Sequence, residues 1–180
     1  MRLYLFHGSP IPNIRKFSLE QCVTDRKDVP FFENIYGVYF LFTDTILDEE
    51  NPYGPFVDML RNYALKKSTN GKGYLYTCTY DVKPDTILSN SECTLSDGEL
   101  LQLCSEFNIS TELVDVAHDL SDEDLYYRLC STRLGREIIN RFYVDVLGKT
   151  CVMRGNTYGT IIVLKPEEVV IENIKEITKQ

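Results

Sequence analysis

Apolar and polar positions along the chain alternate in short blocks. Leu3-Tyr4-Leu5-Phe6 is an apolar run that stops at His7-Gly8-Ser9. Residues 2–6 therefore read as a first strand, ended by the Gly-Ser-Pro that follows. Residues 9–35 have little periodicity, and Ile11, Ile14, Phe17 and Leu19 are spaced to pack a covering loop. Asp25 to Asp28 reads as a solvated charged turn. Pro30-Phe31-Phe32 reads as a loop that either caps a cleft or makes a satellite core contact. Residues 36–43, Tyr-Gly-Val-Tyr-Phe-Leu-Phe-Thr, predict a second strand. Over 53–67 the period changes: Phe56, Val57, Leu60, Tyr63 and Ala64 recur at helical spacing. Lys66-Lys67 stands where a helix end favours cations. After a turn at 68–73, Gly73 to Val82 alternates and is rich in aromatic and β-branched residues, the clearest strand in the chain.

The second half is read from its punctuation. Ser96-Asp97-Gly98-Glu99 has capping-box spacing ahead of Leu100, Leu101 and Leu103, which predicts a helix start. Ser121 to Asp124 predicts another, before Leu125, Tyr126, Tyr127 and Leu129. Leu134, Ile138, Phe142 and Val146 lie four apart, with Gly148 suited to a C-terminal cap. Gly159 to Leu164 and Val169 to Ile171 predict two late strands joined by the Lys165-Pro166-Glu167-Glu168 turn. Strands, a helix, a strand, a helical insert and closing strands make an α+β order, read as one domain over 1–180, without repeats or linkers. Neither GxGxxG nor GxxxxGK[ST] spacing occurs, so the sequence indicates neither a Rossmann fold nor a P-loop.

Composition narrows the classes. The 180 residues are 43% apolar and 12% aromatic, which is globular. A net charge of −8 and a pI near 4.8 disfavour a general nucleic-acid binder, since a long phosphate backbone would be repelled. The six cysteines form no Cys-x-x-Cys pair and only two histidines accompany them, so zinc-site spacing is missing and no metal is expected. The thiols read as reduced and cytosolic, with disulfides the weaker reading. No signal-peptide pattern and no apolar run near the roughly 20 residues of a membrane span is visible, so a cytoplasmic protein without membrane contact is expected.

The candidate chemistry lies where the first run stops. His7 would close a rigid strand, beside a glycine that lets a ligand approach the backbone. If the strands at 2–6 and 36–43 are neighbours, His7, Gly8 and Tyr39 line one cleft. Each residue alone has a structural reading. A histidine after an apolar strand, one of 12 tyrosines in a strand, and Tyr63 on a helix face are all ordinary. His118 reads as a surface or capping residue, and the cysteines as small apolar groups.

In succession, these motifs resemble the ADP-ribosyltransferase superfamily, in the His-Tyr-Glu branch shared by diphtheria toxin and the poly(ADP-ribose) polymerases. His7-Gly8-Ser9 matches that branch's His-Gly-[Ser/Thr], and Gly37-Val38-Tyr39-Phe40 its Gly-[Ile/Val]-Tyr-Phe strand. Asn62-Tyr63 matches an Asn-Tyr pair on the next helix, and Gly73 to Tyr76 the strand after it. Residues 84–150 are not covered in detail. The resemblance implies split, mainly antiparallel sheets with flanking helices and a helical insert. It implies NAD as co-substrate, with release of nicotinamide and transfer of ADP-ribose to an acceptor, in the first place a protein, with nucleic acid or a small molecule kept open. His7 would hold the adenosine ribose 2′-hydroxyl, the Gly8 backbone would grip the carboxamide, and Ser9 would contact ribose or amide. Tyr39 and Tyr63 would sandwich the nicotinamide, and Thr43 would stand where the family has a carboxamide-binding serine.

The third catalytic position departs from the family. Arg154-Gly155-Asn156-Thr157-Tyr158-Gly159-Thr160 contains no acid where the branch has its glutamate. Thr160 is the expected equivalent, with Asn156 or Thr157 as alternatives, so His7, Tyr39 and Thr160 form the catalytic set. A hydroxyl accepts a hydrogen bond but supplies no full charge. Polymer formation is therefore not expected. Single transfer, binding without turnover, or NAD hydrolysis remain. Arg154 suits a pyrophosphate or an acidic acceptor, or is simply exposed.

Overall fold

The computed structural model describes residues 1–21, 37–43, 54–89, 95–109, 129, 132–155 and 158–179. The predicted features at 25–28, 30–32, 121–127 and His118 lie outside the described residues.

The fold is α+β, built on one seven-stranded, mostly antiparallel sheet. In chain order its strands are β1 (Arg2–Ser9), β2 (Val38–Thr43), β3 (Lys72–Asp81), β4 (Ile87–Ser89), β5 (Cys151–Arg154), β6 (Tyr158–Val163) and β7 (Val170–Thr178). Their spatial order is β4-β5-β6-β2-β1-β3-β7, and only the β4–β5 pair is parallel. Among the described residues the helices are α1 (Gly54–Lys66), α2 (Asp97–Glu106) and α3 (Arg133–Arg141), the last running into a π turn over Phe142–Val146.

β3 is the spine. Its alternation buries Tyr76, Cys78 and Tyr80 on one face, and it pairs with β1 from Arg2–Asp81 to Ser9–Tyr74. That ladder carries β1 through His7, Gly8 and Ser9, past the stop read from Gly-Ser-Pro. Pairing along a long neighbour outweighs the local turn signal.

Period-2 alternation divides the core. One face carries Leu3, Leu5, Val38, Phe40, Phe42, Tyr76, Cys78 and Tyr80, covered by Phe17 from the irregular strap at residues 10–18. On the opposite face Val152, Ile162 and Leu164 meet Leu100, Leu103 and Cys104 of α2 and Ile139, Phe142 and Tyr143 of the α3 region. α1 lies on this second face too, because Gly8 and Gly73, which it touches, are out of phase with Leu5 and Tyr76.

The start of α2 follows its capping signal: the Glu99 carboxylate accepts from the Ser96 backbone N–H at 2.8 Å. Of the four-apart row that starts on α3, Phe142 is fully buried and Ile138 and Val146 pack against the core, but the first member does not. Leu134 is 66% exposed, and Gly135, Arg136, Ile139 and Asn140 are turned inward instead. Gly135 rests on the Leu129 carbonyl, and that close approach sets which side of the helix faces the protein. The closing strand is also longer than predicted, nine residues instead of three.

Candidate functional site

β1 and β2 share only part of their length. Their register runs Tyr4–Thr43, Leu5–Phe42 and Phe6–Leu41, and ends there. Beyond that rung β1 keeps its partner β3 through His7, Gly8 and Ser9, while Val38, Tyr39 and Phe40 of β2 stay paired with β6. Two strands that are neighbours at one end thus belong to different ladders at the other. Continuing the register would set Gly8 opposite Tyr39, and it is here that the pairing of the two strands was expected to form a cleft.

His7 spans the opening. Its Nδ1 lies 2.9 Å from the Tyr39 carbonyl oxygen. A carbonyl only accepts, so the bond places the ring proton on Nδ1 and leaves Nε2 with acceptor character in the neutral ring. The imidazole sits among aromatic rings: Phe17 at 5.1 Å, nearly edge-on, Phe40 at 5.4 Å and Tyr76 at 6.4 Å. The Tyr39 ring packs on the opposite face, beside the cluster that holds Ile162 and Val152. His7 and Tyr39 therefore meet through a side chain and a backbone carbonyl, with their rings on different faces of the sheet.

The other predicted residues divide by position. Gly8 lacks a side chain for a packing reason, since a Cβ there would run into the Leu60 carbonyl of α1. Its bare face admits a helix, which corrects the expectation that it admits a ligand. Ser9 is buried, and its Oγ accepts from the Ile11 N–H at 3.1 Å, so it shapes the chain as it leaves β1. Tyr63 is half-buried on α1, between Leu60, which covers Gly8, and Ala64, which meets Gly73. Thr43 is buried and pairs with Tyr4 and Tyr158. It lies four residues from Tyr39, about 13 Å along the strand and away from the opening, so the fold does not bring it to the other candidates.

Thr160 lies at the level where the strands part. Phe6, Leu41, Thr160 and Arg154 occupy successive positions across β1, β2, β6 and β5, and alternation puts all four side chains on the Tyr39 face. Both Thr160 and Arg154 are half-buried. The sequences of β2, β5 and β6 contain one charged residue, Arg154, and no acid. The absence of an acid noted in the sequence therefore holds in space for the strands around Thr160. Asn156 and Thr157 lie outside the described residues. Among the described residues, no group of three His, Cys, Asp or Glu is arranged to hold a metal, and no helix is long and apolar enough to cross a membrane.

Two residues of this region were not singled out as site residues: Phe17, read only as loop packing, and Tyr76, read only as strand. The Tyr76 hydroxyl donates to the Ile11 carbonyl at 2.6 Å and accepts from the Ile14 N–H at 3.1 Å. Burial raises its pKa above the ordinary tyrosine range. The cross-strand pairing of Tyr76 with His7 was the available signal, and it needs the register to be known. Cys78, Cys104 and Cys151 are buried free thiols, as read from the sequence. Burial pushes Cys78 and Cys151 up to about 12, which keeps both protonated and unreactive. No family model, curated protein or solved structure matches the chain.

Proposed function

We propose that the opening between β1 and β2 binds NAD and that the protein is an ADP-ribosyltransferase that transfers a single ADP-ribose. One observation carries the reading: the ladder ends at Phe6–Leu41, and His7 reaches across the open rung to the Tyr39 carbonyl. At this rung the His7 imidazole meets the Tyr39 backbone carbonyl, while the Tyr39 ring lies on the other face of the sheet; these are two of the residues that the motif succession assigns to a dinucleotide. In the reaction the acceptor's nucleophilic atom bonds to the anomeric carbon of the nicotinamide ribose. The carbon–nitrogen bond breaks, its electron pair returns to the pyridinium, and neutral nicotinamide leaves. The proton of a neutral acceptor passes to water. Tyr39 would face the cationic ring, worth about 0.5–2 kcal/mol, and Thr160 would accept from a ribose hydroxyl.

A second reading, an NAD-binding module without turnover, draws on the lack of an acid in β2, β5 and β6, the strands around Thr160. Positive charge develops on the ribose as the bond breaks, and a fixed carboxylate there is the usual means of stabilising it. Arg154 supplies the opposite sign one strand away.

Calorimetry with NAD, combined with nicotinamide release in the presence of cell lysate, separates the readings. Binding with release and label transfer, lost in His7→Ala, supports the transferase. Binding without release supports the module, and free ADP-ribose as sole product indicates hydrolysis. An absence of NAD binding refutes all three.

A further inference from the structure

We infer that Phe17 and Tyr76 are positioning residues that fix the ring orientation and tautomer of His7. The inference rests on the reading of His7 as a ligand-facing residue, but its first test needs no ligand.

The hydrogen bond to the Tyr39 carbonyl selects a tautomer only while the ring is kept from rotating. Phe17 is the centre of the arrangement that does so. It stands edge-on to His7 at 5.1 Å, to Phe40 at 5.0 Å and to Tyr76 at 5.9 Å. The aromatic quadrupole favours such edge-to-face contacts. With Phe17 on one side and Phe40 and Tyr76 on the others, turning the imidazole would drive it into a neighbouring ring.

Phe17 belongs to no strand or helix. It hangs on the strap between β1 and the short 3-10 turn at Leu19–Gln21, so something must fix the strap's path. The Tyr76 hydroxyl does this by holding the Ile11 carbonyl and the Ile14 N–H together. Ser9 Oγ adds a tie to the Ile11 N–H. Tyr76 sits directly across the ladder from His7, so its ring bounds the imidazole while its hydroxyl reaches past it. The order of dependence is hydroxyl, strap, Phe17, His7. A dinucleotide that reaches the imidazole then meets a ring already turned for it, with less ordering left to be done on binding.

The test is nitrogen–proton NMR of the imidazole in a His118→Gln background, which leaves His7 as the single histidine. Wild type is expected to show one neutral Nδ1–H tautomer. Tyr76→Phe keeps the ring and removes both hydroxyl bonds. Phe17→Leu keeps the bonds and removes the edge-on ring, and it serves if the first variant does not fold. Each is expected to give an averaged tautomer pattern and to weaken NAD binding about 3- to 10-fold, while Tyr74→Phe on the same strand changes neither. A wild-type Nε2–H tautomer, or an unchanged pattern in both variants, overturns the inference. A fixed tautomer that both variants disturb, in a protein that binds no NAD, upholds it and refutes only the functional reading.

Discussion

Adding one methyl group at Gly8 separates two explanations of that glycine. Built on the present backbone, a Cβ at position 8 overlaps the Leu60 carbonyl oxygen and comes within 3.1 Å of its carbon. Carbon and oxygen atoms rest about 3.5 Å apart, so α1 would have to retreat by about an ångström. The obstacle is helix backbone, which has no rotamer with which to move aside. The same helix is seated a second time, where Gly73 meets Ala64, so a retreat opens both contacts. Overpacking of this kind costs about 1–3 kcal/mol. The stiffer unfolded chain returns about 0.4–1 kcal/mol. A net loss of about 1–2 kcal/mol follows for Gly8→Ala, a fall in Tm of about 2–8 °C in a domain of this size. The assay is thermal and urea denaturation with double-mutant cycles. Leu60→Ala should not rescue Gly8→Ala, because the clash lies with the carbonyl. Ala64→Gly should partly rescue Gly73→Ala, where the nearest atom is the Ala64 Cβ at 2.9 Å, less about 1 kcal/mol of helix propensity. An unchanged Tm in Gly8→Ala, or full rescue by Leu60→Ala, would refute the packing account. Loss of NAD affinity in Gly8→Ala alone would not establish a backbone grip on the carboxamide, since the helix moves as well.

Gly37→Ala should also destabilise, by about 1–3 kcal/mol in urea melts, because its Cβ would meet Ile162 Cγ2 at 2.6 Å and the Val163 carbonyl oxygen at 2.8 Å. Thr160→Glu should raise nicotinamide release about 10²- to 10³-fold if the missing carboxylate limits turnover; a flat rate in a variant that still binds NAD argues against that position. Burial moves the Cys78 and Cys151 thiols from 9.0 to about 12, and the folded state keeps the protonated form. Their share of stability is whole below pH 9 and is lost as pH rises through about 12, about 4 kcal/mol each at about 1.4 kcal/mol per unit. Urea midpoints measured from pH 8 to 11 should fall less steeply in the double Cys→Ala variant than in wild type, and equal slopes would count against it.

Elements with strong local signals were legible in the sequence. The period change at 53–67 marks α1 to within a residue at each end, and the alternation over 73–82 marks β3. The capping spacing at Ser96 marks the start of α2, and the proline turn at 166 separates the last two strands. What was missed depends on partners remote in sequence. β4 has three residues and β5 has four, Cys-Val-Met-Arg, and neither spans enough positions to show a period. β7 reads Glu-Asn-Ile-Lys-Glu after Ile171, polar enough to pass for a terminus, and it is a strand because it lies along β3. The site divides in the same way. His7 and Tyr39 stood out by their motifs, but alternation sends their rings to opposite faces, and only the register reveals that. Thr43 was matched to the family's carboxamide-binding serine by the resemblance, whereas a strand carries each added residue about 3.3 Å further from Tyr39.

The end of the β1–β2 ladder, on which the functional reading rests, lies beside two close packing contacts. Beyond the last β1–β2 rung, Gly8 lies within β1 and Gly37 just ahead of β2, and each glycine is pressed against a different neighbour. Gly8 is drawn under the backbone of α1, and Gly37 against Ile162 and Val163 of β6. A side chain at either position would hold its strand away from that neighbour. The two contacts pull the strand ends toward separate partners, and backbone groups that would have bonded across the gap must find other company. The imidazole nitrogen answers one of them, the Tyr39 carbonyl. A histidine in this place is therefore both a repair to an interrupted ladder and a polar group held at the gap. A purely structural device would be served as well by asparagine, whose amide also donates to a carbonyl. His7→Asn is thus expected to keep the fold, and whether NAD binding survives that exchange decides which of the two tasks retains the imidazole.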